Sequence, residues 1–370
     1  MHAANDVQFG WVASAAGAPG TTDDRMFEDM LEDAELNHSL GYRTAWMIEH
    51  HFSDYFPTPD PLQMLTFLSA KFPDISLGTC VIVTPWYNPL RLAEQIAMLS
   101  VLCKERLHLG LGRGTAKFEY DAFGTNMEEA RGRFQEVWDI LQVAMTGERF
   151  THEGEFYHLQ KEVRIRPTPA ADRINFYGAI GTPQTAGIMG KLGLPPMCTS
   201  IGDYQRQVET LTSWRAAAEE AGHPTEGVVF PLMINCIVAD TDEEAVEEAK
   251  IFMPRYMKAQ VDHYTVHTTD WANTKGYEAW QRMFDGIVAR QDPENIPPWT
   301  EWQLIGSPET VRHKTQMFID AGFNHLIMQF TTPGVPAADR RRWATTFARE
   351  VAPHFSGAFR PRAGTIAAAV

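Results

Sequence analysis

The chain has 370 residues, of which 44% are hydrophobic and 21% charged, a composition typical of a globular protein. Its net charge of −15 argues against a nucleic-acid partner, because binding to phosphate backbones needs a basic surface. We expect no membrane span and no secretory signal, since no apolar stretch approaches the roughly 20 residues that cross a bilayer and residues 1–6 lack a cationic start.

Short apolar runs rich in β-branched residues alternate with longer helical patterns along most of the chain. The runs predict strands at 8–14, 44–51, 75–83, 107–112, 174–180, 196–201, 228–239 and 325–330. The helical patterns lie near 23–40, 60–71, 89–103, 126–146, 183–191, 203–221, 242–259, 307–321 and 337–350. This alternation predicts an α/β fold, either a doubly wound sheet or a closed barrel. The strand count favours the (β/α)8 TIM barrel, whose catalytic side chains lie at the carboxyl ends of the strands.

We interpret residues 1–370 as one barrel domain with insertions. The segment 260–303 interrupts the alternation and contains several tryptophans, and long connections of this kind often form lids, so we expect a mobile lid over the barrel mouth. Residues 148–159 predict a small hairpin outside the barrel, and residues 355–370 a tail. The basic run Arg340-Arg341-Arg342 is interpreted as the solvated face of a C-terminal helix.

The cysteines are widely spaced. Cys80, Cys103, Cys198 and Cys236 form no Cys-x-x-Cys pair, which favours reduced thiols in a cytoplasmic protein and argues against a zinc site.

One predicted strand ends in Glu49-His50-His51. This arrangement places a carboxylate and an imidazole at the barrel mouth, where histidine can exchange protons near neutral pH. Neighbouring side chains on a strand point to opposite sides, so only one of the two histidines can face the mouth squarely. The pair therefore cannot ligate one metal ion, and we predict no metal site. The alternative is that both histidines are structural.

Glu119 follows the fourth predicted strand. Its carboxylate could orient a histidine ring at the mouth. An exposed acid at the start of a helix is the alternative interpretation.

Two glycine-containing turns follow predicted strands. In the run 110–114 the third glycine comes two residues after the second, where a dinucleotide-binding fingerprint requires three. We interpret the run as a strand end whose glycines let the backbone approach a flat ligand while Arg113 binds an anion, with a plain tight turn as the alternative. Gly181-Thr182-Pro183 opens a helix, and the N–H groups at a helix N-terminus bind phosphate. Together the two turns predict one phosphate site.

A set of motifs resembles the bacterial luciferase-like family of flavin-dependent monooxygenases. The resemblance keeps its order and spacing from about residue 8 to residue 350. It includes Glu49-His50-His51-Phe52, the segments 78–83, 88–94 and 123–127, Gly112-Arg113-Gly114 and Gly193-Leu194-Pro195.

The resemblance implies a single barrel that binds reduced FMN supplied by a separate flavin reductase. Oxygen would add to the flavin, and the resulting peroxyflavin would oxygenate a small organic substrate. The resemblance further implies that His50 is the catalytic histidine, Glu119 its acidic partner and Arg113 a phosphate ligand. The Cys80–Val81 bond matches a non-proline cis peptide below the flavin ring. The remaining residues implied to contact the cofactor are Glu49, Gly112, Tyr177, Ala179, Ile180, Gly181, Thr182 and Ser200.

Two positions depart from the family pattern. A cysteine that touches the flavin is replaced by Gly112, which is expected to open room above the ring and to favour a substrate other than a long-chain aldehyde. A Glu-Ser pair at the phosphate is replaced by Ala179-Ile180, so Thr182 must supply any hydroxyl contact there.

The resemblance leaves two alternatives to this function. One is a deazaflavin-dependent oxidoreductase of the same fold that transfers hydride and needs no oxygen. The other is a non-catalytic flavin-binding subunit. A homodimer is also expected from the resemblance, although nothing in the composition tests it.

Overall fold

The computed structural model describes residues 7–200 and 202–356. The strands are β1 Gln8–Val12, β2 Thr44–Met47, β3 Ser76–Val83, β4 Leu107–Gly112, β5 Phe150–Glu153, β6 His158–Val163, β7 Ile174–Ala179, β8 Pro196–Thr199, β9 Pro231–Val238, β10 Leu304–Gly306 and β11 His325–Gln329. The helices are α1 Asp23–Leu40, α2 Pro61–Lys71, α3 Pro89–Leu102, α4 Lys117–Phe123, α5 Ala130–Ala144, α6 Pro183–Lys191, α7 Tyr204–Glu220, α8 Asp242–His263, α9 Trp280–Ala289, α10 Pro297–Thr300, α11 Pro308–Ala321 and α12 Ala337–Thr346.

Eight parallel strands close into a barrel. The order is β1, β2, β3, β4, β7, β8, β9 and β11, and β11 pairs with β1 to close the ring. The short strand β10 adds to β9 from outside this ring. The sequence-based prediction of a (β/α)8 barrel is therefore confirmed. The antiparallel hairpin of β5 and β6 stands apart from the barrel sheet.

Large side chains fill the barrel interior below its mouth. The Trp46 indole lies so close to β1 and β3 that a Cβ on Gly10 or Gly78 would come within 2.6 or 2.4 Å of it. Its Nε1 lies 3.2 Å from His325 Nε2, and the Tyr177 hydroxyl lies 2.9 Å from His108 Nδ1. The barrel interior below the mouth is thus filled by side chains, and we call this layer around Trp46, His108, Tyr177 and His325 the packed floor.

The predicted helix starts carry side-chain caps. Ser307, Thr182 and Asn88 each accept hydrogen bonds from backbone N–H groups of the following turn, ahead of a proline in its first position. This arrangement satisfies donors that have no partner within the helix.

The largest differences from the predicted elements lie in the insertions. Helix α8 continues to His263 rather than ending at 259, and the rest of the 260–303 segment folds into α9, α10 and short turns. Helix α4 begins soon after Arg113, where no helical pattern was recognised, and it carries Glu119. Of the predicted tail 355–370, residues 357–370 lie outside the described residues.

The basic run on α12 is not a solvated face, contrary to the sequence interpretation. Arg340 is only 3% exposed and pairs with Asp33 on α1. Arg341 reaches Asp29 and Glu32 on the same helix, at 3.1 and 2.9 Å. The run therefore ties the last described α-helix to the first.

Exposed apolar side chains cluster on α2 and α3. Phe67, Met98, Val101 and Leu102 are each about half exposed. A second copy of the chain would cover such a face, and the homodimer stays a prediction that light scattering would test. No helix among the described residues is long and apolar enough to cross a membrane. All four cysteines are free thiols.

Candidate active site

A cavity of about 420 Å³ opens at the carboxyl ends of the barrel strands, beneath the 260–303 segment. Almost every residue singled out from the sequence lines it: Glu49, His50, Cys80, Val81, Gly112, Arg113, Glu119, Ala179, Ile180, Gly181, Thr182 and Ser200. Tyr177 does not. Its side chain is 2% exposed and points into the packed floor, where it contacts His108, so the expectation that it lines the cavity was wrong.

Glu119 joins two histidines from distant parts of the chain. Its Oε1 lies 3.7 Å from His50 Nδ1 and 3.6 Å from His263 Nε2. The same oxygen accepts a hydrogen bond of 2.7 Å from the His51 backbone N–H, which holds the carboxylate at the end of β2. Glu119 is 1% exposed, so the alternative of an exposed helix-start acid is excluded.

The two rings that face Glu119 are held in an aromatic cage. The centroids of His50 and His263 lie 4.4 Å apart, and Tyr55 packs against both rings. The other nitrogen of His263, Nδ1, lies 2.7 Å from Ser53 Oγ. His50 Nδ1 and His263 Nε2 have no hydrogen-bond partner within the described residues. Two buried ring nitrogens are therefore available to a ligand or a proton.

Burial determines the protonation of this cluster. It lowers the pKa of His50 to about 3 and that of His263 to about 2, with repulsion from a neighbouring histidine acting in the same direction. Burial also raises the pKa of Glu119, and the nearby histidines oppose that rise. Both rings are consequently neutral at pH 7, and each has one ring nitrogen without a proton.

We expect stability to fall as the pH drops below about 6.5. In the unfolded chain each ring gains a proton near that pH, whereas in the folded protein His50 and His263 stay neutral down to about pH 3 and 2. The free energy of unfolding then falls by up to about 1.4 kcal/mol per pH unit for each ring. The raised pKa of Glu119 offsets part of this fall at the acidic end.

The variant His263→Asn should show a shallower decline between pH 7 and 5, measured by urea unfolding. His267→Asn, on an exposed residue of the same segment, should follow the wild type. An unchanged pH slope in His263→Asn would contradict the interpretation.

His51 and Glu49 form a separate structural pair. Strand β2 ends at Met47 rather than at the predicted residue 51, so both histidines lie beyond the strand. Only His50 lines the cavity, whereas His51 Nε2 lies 3.1 Å from Glu49 Oε1. The Glu49 carboxylate also accepts hydrogen bonds from the Val83 N–H, the Trp86 indole and the Tyr87 hydroxyl, at 3.0, 3.0 and 3.2 Å. Glu49 borders the cavity, but its oxygens are occupied in fixing the loop after β3.

The Cys80–Val81 peptide bond is cis, as the resemblance implied, and it lies in the irregular part of β3 that borders the cavity. Val81 also explains the glycine at 112. A Cβ on Gly112 would lie 2.4 Å from Val81 Cγ2. The space left at this position is therefore taken by Val81 and does not open room for a substrate, contrary to expectation.

Arg113 and the Gly181-Thr182 turn border the same cavity. The Arg113 guanidinium donates to the Gly276 carbonyl at 3.3 and 3.4 Å and lies 4.7 Å from the Tyr277 ring centroid. Thr182 caps α6 through its hydroxyl, and a Cβ on Gly181 would lie 3.5 Å from Trp280. The strip 276–280 thus runs from the guanidinium to the helix N-terminus.

Ser200 completes the list of predicted residues. Its hydroxyl donates to Gln303 Oε1 at 2.7 Å, and the same oxygen accepts the Asn235 side-chain N–H at 3.1 Å. Ser200 therefore borders the cavity as part of a hydrogen-bonded network.

Several cavity residues were not recognised in the sequence. His263, which contacts Glu119 from behind and does not itself line the cavity, lies far from Glu119 along the chain, and no local pattern connects the two. Tyr55, Tyr264, Tyr277 and Trp280 line the cavity, and of these only the aromatic content of 260–303 gave a signal. His50, Glu119 and His263 could also hold a metal ion, because one donor atom from each lies within 4.8 Å of the others. The absence of a metal stays a prediction.

Comparisons with known proteins agree with this geometry. The family model described as luciferase-like monooxygenase matches residues 7–325. An F420-dependent glucose-6-phosphate dehydrogenase of Kineococcus radiotolerans is 27% identical over 358 residues, covering 94% of this chain and 96% of that protein.

Two solved structures share the fold. The monooxygenase RslO1 from Streptomyces bottropensis has a TM-score of 0.75 and 24% identity, covering 94% of this chain and 100% of its own. The oxygenating constituent of 3,6-diketocamphane monooxygenase from Pseudomonas putida, in complex with FMN, has a TM-score of 0.71 and 20% identity, covering 94% and 98%.

Proposed function

The chain belongs to the luciferase-like monooxygenase family, and on this premise we propose that it is a monooxygenase that uses reduced FMN and O2 to oxygenate a small organic substrate. A separate reductase would supply the reduced flavin. The observation that carries the proposal is the cavity itself, which has the His50–Glu119 pair and the Arg113 guanidinium on its walls.

The residues present fit a flavin nucleotide. Arg113 donates to no carboxylate among the described residues, so its charge is available to a phosphate. Helix α6 begins with Pro183, which has no N–H, and the Thr185 N–H donates to the Thr182 hydroxyl, so the Gln184 N–H and the positive end of the helix are what the first turn offers to the same group. Cys80, Val81 and Ile180 give apolar contact for a flat ring.

The proposal assigns a role to His50, to Glu119 and to the 260–303 segment. When bound, reduced FMN supplies the electrons that activate O2 for transfer of one oxygen atom. His50 accepts or returns a proton, and Glu119, whose Oε1 lies 3.7 Å from His50 Nδ1, holds the ring in place. The apolar lining and the 260–303 segment exclude water, which protects a reactive species from hydrolysis.

The test is anaerobic loading of the protein with reduced FMN, followed by rapid mixing with O2. We expect flavin reoxidation, followed by absorbance, to be markedly slower than that of free reduced FMN. Oxygen uptake that increases with an added organic substrate would identify the substrate. Reoxidation at the free rate, or no affinity for reduced FMN by calorimetry, would contradict the proposal.

A second candidate function is F420-dependent hydride transfer. It is favoured by the relative from Kineococcus radiotolerans, whose printed name gives that cofactor. Reduction of F420 by an added alcohol or sugar phosphate, without oxygen uptake, would select this function over the first.

A further inference from the structure

A second cavity, of about 480 Å³, adjoins the first. It lies between the start of α7, helix α9 and the turn around α10. Ile180, Gly181 and Arg290 border both cavities, so the two are continuous at the predicted phosphate turn. We call the second cavity the arginine annex, because Arg206, Arg282 and Arg290 line it.

The annex is cationic in a chain whose net charge is −15. Asp203 is the only acid among its lining residues, and this side chain caps α7 by accepting the Arg206 backbone N–H at 2.8 Å. Within the described residues, none of the three annex arginines forms an ion pair with a carboxylate. Three uncompensated positive charges around one cavity favour an anionic occupant.

Arg290 is the most deeply placed of the three. Its guanidinium lies 6.0 Å from the Trp299 ring centroid and packs over Gly286, where a Cβ would come within 3.4 Å of its Nη1. Burial lowers its pKa, which reflects the cost of holding a charge there without a partner. An anion beside it would offset that cost.

Arg206 connects the annex to the main cavity. Its Nη2 donates to the Gly181 carbonyl at 2.7 Å, and its side chain packs against Gly202. A group bound in the annex would therefore lie next to the turn that we assign to the cofactor phosphate.

We propose that the arginine annex binds a carboxylate or phosphate group of a ligand that extends from the main cavity. This inference rests on the proposed function for the position of the ligand, but the anion site itself is independent of which cofactor is used. Two sources can supply the group. One is the cofactor, since F420 carries carboxylates beyond its phosphate whereas FMN ends at its phosphate. The other is an anionic substrate.

The site is tested by calorimetric titration with citrate and with inorganic phosphate at constant ionic strength. The full-length protein carries Arg113→Gln in this experiment, so that the neighbouring anion site does not contribute. We expect saturable binding that weakens about tenfold or more when Arg282→Gln and Arg290→Gln are added, since charge-assisted hydrogen bonds are lost. Arg282→Gln alone, on an exposed residue, should weaken binding in the same direction without affecting the fold.

The matched control is Arg91→Gln, which removes an exposed positive charge on α3 and should leave the affinity unchanged. Absence of saturable binding, or equal affinity in the annex variants and the control, would overturn the proposal. If the wild-type protein does not bind FMN, the proposed function is refuted, but the titration with citrate and phosphate still tests the anion site.

The source of the anion is identified by the affinities of FMN and F420 for the wild type and for Arg282→Gln/Arg290→Gln. If F420 binds more weakly to Arg282→Gln/Arg290→Gln than to the wild type and FMN does not, the annex receives the cofactor. If neither affinity changes and citrate still binds to FMN-loaded protein, it receives a substrate group. If FMN loses affinity as strongly as F420, the arginines support only the phosphate turn, and the proposal is wrong.

Discussion

Replacement of His50 by alanine is expected to lower the rate of product formation by about 10²–10⁴-fold, the usual range for loss of a general acid–base group, and to lower the fraction of consumed O2 that yields product. The affinity for FMN should be largely unchanged, because the proposed phosphate contacts lie at Arg113 and the α6 N-terminus. The neutral His50 ring lines the cavity, and alanine offers no proton acceptor in its place. Product analysis together with peroxide detection measures the effect.

Glu119→Gln separates orientation from proton transfer. Since the carboxylate holds the ring and also accepts the His51 N–H, we expect a smaller loss of activity with a shifted pH profile. His267→Ala, on the exposed part of the same insertion as His263, serves as the unaffected control. Unchanged coupling in His50→Ala would remove this residue from the reaction.

The variant Arg113→Gln is expected to raise the dissociation constant of FMN by about 10- to 100-fold, in line with the loss of a charged hydrogen bond of about 1.5–3 kcal/mol. Equilibrium dialysis or fluorescence quenching would measure it. The same substitution removes the contacts to Gly276 and Tyr277, so flavin reoxidation should also become faster.

Arg113 is expected to act both by binding the phosphate and by contacting Gly276 and Tyr277, and Tyr277→Phe distinguishes these two effects. It keeps the ring under the guanidinium and loses only the hydroxyl that donates to the Gly114 carbonyl at 2.9 Å. Its FMN affinity should stay close to that of the wild type. Equal FMN affinities of the wild type, Arg113→Gln and Tyr277→Phe would show that the phosphate binds elsewhere.

The barrel could be predicted because its strands are continuous apolar runs separated by capped helices. The carboxyl ends of those strands must meet at one face, which brought His50, Cys80, Gly112 and Gly181 to one cavity. Tyr177 was misplaced because strand periodicity indicates a face but not the height of a side chain in the barrel. Only the structure shows it at the level of His108.

The features that could not be predicted from the sequence depend on contacts between residues distant in sequence. Nothing local to His263 indicates that it meets Glu119, since their proximity is set by the path of α8. Arg340 looks like part of a surface charge run, and its burial follows from acids on α1 that it meets only after the barrel closes. The role of Gly112 likewise depends on Val81, a neighbour on the adjacent strand β3.

The packed floor under Trp46 affects how reactants reach the site. Because the indole lies against Gly10 and Gly78, the barrel below the cavity holds side chains instead of a channel. Molecules that enter the cavity therefore do so away from this floor, on the side that residues 276–280 border. A nucleotide bound as proposed would have to enter before the smaller reactant, since both approach from that side.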